Sequence, residues 1–296
     1  MSNADPYSAL PFLRLNDRPT KPRTSGLTEI RGPYYSAIGP QYFGDLFAVA
    51  APYIDWLKIP GPGIALLPRP ALIRIAEVCH AHAVQLSAGG LIEFVVTRGP
   101  DAVDRYFDAL VELSFDVVEI SAGFLALSTS DYLRLVERAA KSGLTVKAEV
   151  GIQFGAGGTS SEAALASAGT TSLSWAITRA KRSLDAGAHV IVLESEGVTE
   201  SVGQWRTDVP AAFVAELGLE RMMFEAAEPA VFEWYIKNYG PDVNLFIDHS
   251  QALHLESLRS GVWGPSPLFG RVVTYRGSTA SRDLRGSGTA IDGGDA

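Results

Sequence analysis

Hydrophobic and polar positions follow two rhythms along the chain. Short, nearly continuous apolar runs at 27–30, 54–59, 83–87, 117–120, 144–150, 190–193, 222–224 and 243–247 have the length and branched-chain content of buried strands. Between them, apolar residues return every three to four positions, the spacing of one helix face. That spacing predicts helices at about 42–50, 70–82, 100–113, 131–142, 173–186, 209–217 and 230–239, with a short one near 255–260. The stretch from Glu220 to Gly264 shows the unit in full. One apolar run ends in Glu225, Pro229 opens a helical segment that stops at Gly240, and a second run ends in Asp248. This is strand, helix, parallel strand, with a carboxylate at the carboxyl end of each strand.

Eight strands alternating with about eight helices predict an α/β fold, a single closed (β/α)8 TIM barrel over residues 21–269. A doubly wound open sheet is the alternative. Residues 1–20 and 270–296 carry no core pattern and are expected as flexible tails. The 296 residues, 47% of them hydrophobic, suffice for a large core. A net charge of -8 argues against nucleic acid and anionic membranes as partners. With no signal peptide or membrane-length apolar run, a cytoplasmic protein with a local anion site is expected. Cys79 is the only cysteine, so no internal disulfide can form, and its helical setting predicts a buried thiol.

Residues 151–171, GIQFGAGGTSSEAALASAGTT, break the rhythm. A loop this long and rich in Gly, Ser and Ala is expected as a mobile cover over the barrel mouth. Its glycines lack both the dinucleotide fingerprint and the Walker spacing, which leaves a phosphate cradle as the weaker alternative.

In a barrel, period-two alternation sends polar strand residues to the interior or upper rim. Glu29 and Arg31 share a face of the first strand, and Lys58 ends the second. Ser87 ends the third before Gly89 and Gly90; Glu119 and Ser121 share a face of the fourth, and Lys147 and Glu149 of the fifth. Glu194 and Glu196 close the sixth, Glu225 the seventh, and Asn244 and Asp248 frame the eighth. Charge at nearly every strand end predicts a site, because barrel enzymes build theirs there. So many acids repel one another unless a cation joins them, and an all-oxygen donor set suits Mg2+. His80 and His82, two apart on a helix, cannot share a zinc. The alternative is an ion-pair ring that only holds the barrel closed. His249 is either a proton donor or a hydrogen-bonder at a helix entry, and Trp56 and Trp175 are expected in packing roles.

The segments KPRTSGLTEIRGP, YIDWLKIPG, VVEISAG, KAEVG, MMFEAAEP and NLFIDHSQALHLESLRSGVWG, in that order, resemble the phosphosulfolactate synthase family. TEIRGPYY and FEWYIKNYGPDVNLFIDHSQ are more similar still to its heat-stress-associated plant relatives. The resemblance spans about 21–264. It implies a (β/α)8 barrel and, for the synthase itself, Mg2+-dependent addition of sulfite to phosphoenolpyruvate, giving a 2-phospho-3-sulfolactate for coenzyme M biosynthesis. Matched to the family's motifs, Lys58 is the lysine ending strand two, Glu119 the acid of EIS, Glu149 that of EVG, and Glu194 and Glu225 the acids ending strands six and seven. The expected site therefore has Lys58, Lys147 and Glu149 as catalytic residues and Glu119, Glu149, Glu194 and Glu225 around Mg2+. Arg31, Ser87, Gly89, Gly90, Ser121, Asn244 and His249 are expected to bind a small anionic substrate, and a homo-oligomer is expected. Three positions depart from the synthase pattern: Ala122 replaces an aspartate, Ile152–Gln153 stand near an expected lysine, and Glu196 replaces a basic residue.

Overall fold

A computed structural model describes residues 9–275 except 11, 14, 33–35, 37 and 159. Eight parallel strands close a barrel in chain order: β1 (Thr28–Arg31), β2 (Trp56–Ile59), β3 (Gln85–Ala88), β4 (Val117–Ile120), β5 (Thr145–Val150), β6 (Val190–Leu193), β7 (Met222–Glu225) and β8 (Asn244–Asp248). The ladder closes where β1 pairs with β8, Arg31 opposite Asp248. This is the expected TIM barrel, and each observed strand overlaps its predicted run.

The helices are α1 (Pro40–Ala50), α2 (Gly61–Leu66), α3 (Arg69–Ala81), α4 (Ile92–Val96), α5 (Pro100–Glu112), α6 (Thr129–Lys141), α7 (Glu162–Ala168), α8 (Leu173–Asp185), α9 (Asp208–Leu217), α10 (Pro229–Tyr239) and α11 (Ala252–Arg259). The long ones match the predicted helical stretches. On α6, Tyr132, Leu133, Leu135, Val136 and Ala139 form the buried face. Ser128, Ser161 and Ser172 cap α6, α7 and α8 by accepting a backbone N–H three residues on, each cap worth about 1 kcal/mol. None of the described helices is long and apolar enough to cross a membrane.

Alternation divides the strand side chains between two cores. Ile30, Leu57, Leu86, Val118, Val146, Ile191, Phe224 and Leu245 face the helices. Leu27, Trp56, Val117, Val190, Val192, Met223 and Phe246 form a separate plug inside the barrel. The plug makes the lower barrel solid and leaves only the carboxyl ends of the strands open.

The floor is a buried polar network. Arg259, fully buried, donates to the carbonyls of Gly26 and Val243 and to the Thr28 hydroxyl. Arg23 pairs with Asp55, which accepts the Thr28 N–H. Asn244, expected to bind substrate, belongs to this end. Its amide donates to the Met222 carbonyl and accepts from Leu27 N–H, so it locks three strand starts together and cannot reach the mouth. Asn16 donates to the carbonyls of Arg259 and Val272, and Arg18 pairs with Glu256, so these residues pack under the barrel. The remainder of the expected tails, 1–8 and 276–296, lies outside the described residues.

Candidate active site

A line of buried ion pairs climbs the barrel axis. Lys147 Nζ lies 2.5 Å from Glu29 Oε1, both side chains fully buried, and 3.2 Å from Glu119 Oε2. Glu119 Oε2 in turn lies 2.7 Å from Lys58 Nζ, which sits 4.3 Å from the centre of the Phe246 ring. Burial pushes the Glu119 carboxyl up, but Lys58 and then Lys147 outweigh it and hold it below its usual range. Glu119 is thus an ionised acid clamped between two lysines.

Among the described residues, the other three acids of the rim have no such partner. Burial, then repulsion from Glu119 and Glu225, drives the Glu149 carboxyl well above the ordinary range. Burial, then Glu225 and Glu149, does the same to Glu194, whose Oε1 accepts the Glu196 N–H at 2.9 Å. Glu225 is pushed up to about 7, chiefly by burial, with Lys58 opposing and Glu119 reinforcing the shift. Each acid therefore favours its protonated form more than an exposed carboxyl does, and a further positive charge would favour ionisation. No three His, Cys, Asp or Glu side chains among the described residues stand in metal-binding geometry. The donor set instead fits a hard cation that takes one or two carboxylates and completes its shell with water and substrate oxygens, as Mg2+ does.

Two cavities open above these acids. One, of about 680 Å³, is lined by Lys58, Gly90, Glu119, Ser121 and Glu225. The other, of about 660 Å³, runs over β5 toward α8 and is lined by Leu127, Phe154, Trp175 and Arg179. They share Phe124, Glu149 and Glu194. Glu93 of α4 fixes the loop that carries Phe124, accepting from the Ser121 hydroxyl and from the N–H groups of Gly123 and Phe124. Gly157 lies against the Phe124 ring so closely that a side chain there would collide with it. The phenyl ring thus forms the partition between the cavities.

Segment 151–171 is pinned at several points and contains α7. Glu196, where the family resemblance leads one to expect a base, accepts the N–H groups of Gly157 and Ser160, both at 2.8 Å. Gln153 Nε2, near an expected lysine, donates to the carbonyls of Leu165 and Gly169. Two of the three departures are therefore the residues that tie this segment down.

Only some of the predicted site residues reach the cavities. Lys58, Gly90, Glu119, Ser121, Glu149, Glu194 and Glu225 line the cavities. Gly89 stands just behind them: its N–H donates to the Ile59 carbonyl, and a side chain there would press on the Lys58 stem at 3.0 Å. Arg31 is at the rim, 3.3 Å from Asp248. Lys147, expected as catalytic, lines neither cavity: it is level with Glu119 on the neighbouring strand, but its fully buried amine turns to Glu29. Ser87 is fully buried beside Lys58 in the ladder and lines neither cavity. His249 lines neither cavity: its ring lies edge-on to Tyr42 of α1 with centres 5.5 Å apart, and its Nδ1 is 3.4 Å from Asp248 Oδ1. Glu119, expected as a metal ligand, is committed to the lysines. Sequence patterning gave no sign of Glu93 or Arg179, since both come from helices, and Trp175 lines a cavity where packing was expected.

The family model for (2R)-phospho-3-sulfolactate synthase (ComA) matches residues 16–265. Heat-stress-associated protein 32 of Arabidopsis thaliana is 33% identical over 258 residues, which cover 84% of this chain and 90% of that protein. The phosphosulfolactate synthase of Methanothermobacter thermautotrophicus is 26% identical over 254 residues, covering 83% and 93%. Among solved structures, the carboxyl transferase domain of Rhizobium etli pyruvate carboxylase superposes with a TM-score of 0.53 at 14% identity, over 75% of this chain and 39% of that one, a likeness of fold alone.

Proposed function

Because the chain belongs to the (2R)-phospho-3-sulfolactate synthase family, we propose that its barrel mouth is a lyase site of the synthase type. It adds sulfite or a related nucleophile to phosphoenolpyruvate or a similar enolpyruvate ester, with Mg2+. The observation that carries this reading is the pairing of one cation, Lys58, with three charge-starved acids, Glu149, Glu194 and Glu225, around the same cavity.

In such a reaction the nucleophile's lone pair forms a bond to the methylene carbon of the ester. The double-bond electrons move toward the carboxylate, and a proton must then reach the adjacent carbon. Lys58, already ionic and held by Glu119, is set to bind the growing negative charge. Glu149 reaches both cavities and keeps its proton through burial, so it is the acid for the second step. Glu194 and Glu225 would hold the Mg2+, which when bound adds positive charge where the carboxylate develops its own. Lys147 and Glu29 hold Glu119 from below and touch no reactant.

A second reading keeps the barrel and the acid cluster but changes the substrate to another carboxylate or phosphate ester. One observation favours it: Glu196 and Gln153 spend their hydrogen bonds inside the protein, so fewer cations face a dianion and sulfite together. Thermal shifts with phosphoenolpyruvate plus Mg2+, followed by turnover with sulfite, separate the two. Under the first reading the pair stabilises the wild type, and Lys58→Met lowers turnover by about two to three orders of magnitude. The fold survives that change because Lys147 still neutralises Glu119. Stabilisation without turnover supports the second reading. Full turnover in Lys58→Met removes Lys58 from the mechanism.

A further inference from the structure

The cavity over α8 is more than the synthase reaction needs. Its volume of about 660 Å³ is the size of a pocket for a substantial organic ligand, far larger than a bare inorganic anion fills. Its walls are mainly apolar, built by Phe124, Leu127, Phe154 and Trp175. One basic side chain lines it, Arg179.

Arg179 is held in an unusual way for an arginine. Its guanidinium lies 4.0 Å from the centre of the Tyr132 ring and 5.2 Å from that of Trp175, which fixes its plane without neutralising it. The Tyr132 hydroxyl is anchored in turn to the Ile120 and Glu149 carbonyls, so the platform is rigid. Among the described residues, Arg179 Nε is buried with no hydrogen-bond acceptor, and no acid is paired with the group. Burial weakens its hold on its proton, which marks a cation short of a counter-charge. A buried donor without an acceptor is costly, by about 1–3 kcal/mol, and an oxyanion relieves that cost. Glu149 and Glu194 stand at the junction with the first cavity.

We propose that this second cavity is a binding site for an organic anion, its acidic group held by Arg179 and its apolar body lying against Trp175, Phe124 and Phe154. The anion is a carboxylate or phosphate monoester with an aromatic or branched body. That it is a reactant meeting the first substrate at Glu149 and Glu194 rests on the functional reading above; that it binds does not.

Calorimetry on the full chain, with phenyl phosphate as the probe and inorganic phosphate as control, tests the site. Phenyl phosphate is expected to bind the wild type at least about tenfold more tightly than inorganic phosphate. Arg179→Met is expected to weaken it by about tenfold to a hundredfold, the worth of a charged hydrogen bond, with an unchanged melting temperature. Should Arg179→Met fail to fold, Ala126→Trp, which fills the cavity from its rim, must weaken the probe by a similar factor. No binding to the wild type, or undiminished binding in the folded Arg179→Met or in Ala126→Trp, overturns the proposal. Phenyl phosphate lost in Lys58→Met but kept in Arg179→Met overturns it too, because the probe then sits in the first cavity. Absent protection by phosphoenolpyruvate with intact, Arg179-dependent phenyl phosphate binding defeats the functional reading and leaves this site standing.

Discussion

Lys58 and Lys147 share one acid, Glu119, yet the barrel gives them opposite work. Lys58 lines a cavity, whereas Lys147 is sealed between Glu29 and Glu119 with no exposure. Period-two alternation shows that both lysines point inward but not how high along the axis each amine ends. The same ambiguity sent Asn244, the first residue of β8, to the mouth when it belongs to the floor. Removing Lys147 strands Glu29 where water cannot reach, while Glu119 keeps Lys58, and breaking a buried pair in this way typically costs about 3–5 kcal/mol. Lys147→Met should therefore lower the urea midpoint by an amount of that order. Glu29→Gln added to Lys147→Met should recover part of the loss, because the stranded charge is gone. A Lys147→Met protein with the wild-type midpoint would show that the pair contributes nothing to the fold.

Among the elements, the long ones were legible and the short ones were not. Strands at every predicted position follow from apolar runs that must be buried on both faces. The helices of ten or more residues follow from stripes such as that of α6. Helices α2, α4 and α7 have five to seven residues, too few for a period to emerge. In α7 only Leu165 is buried, so the alanine-rich stretch carries no stripe and was expected as bare loop. Gln153 ties that segment from within, and a side chain outside it ties it from across the mouth. The Glu196 carboxylate takes two N–H groups from the turn before α7, and charge-assisted bonds of this kind are worth about 1.5–3 kcal/mol. In Glu196→Ala, hydrogen exchange at Gly157 and Ser160 should accelerate by about tenfold or more, with α8 and the strands unaffected. Unchanged exchange would mean that the carboxylate does not hold the segment. The site was legible where strand ends supply it. Arg179 and Glu93 escaped notice because a helix residue's reach over the mouth depends on packing, which the sequence does not display.

Across the whole molecule, the solid apolar plug and the paired floor contrast with the rim, where three acids stand close enough to raise one another's carboxyls. Glu149, Glu194 and Glu225 all have carboxyls raised above the range they show in an unfolded chain. The native state then keeps protons that the unfolded state has already released. Below about pH 4.5 both states are protonated there and the cluster is neutral in its effect. As pH climbs from that point to about 7, where Glu225 ionises, the unfolded state binds fewer protons than the native state, so stability falls. Acids with lowered carboxyls, such as Asp208 and Asp248, act in the opposite sense, so only a difference curve isolates the rim. Glu225→Gln should match the wild type near pH 4.5 and exceed it by up to about 3 kcal/mol at pH 8, the worth of the shift it removes. Mg2+ supplies the missing charge by another route. It should stabilise the wild type more at pH 8 than at pH 5, and the same ion should gain less on Glu225→Gln. Denaturant melts at both pH values, with and without Mg2+, decide the matter. A Glu225→Gln protein no more stable than the wild type at pH 8 would mean that the rim acids are already compensated. The barrel mouth would then be a settled ion network with no call for a cation.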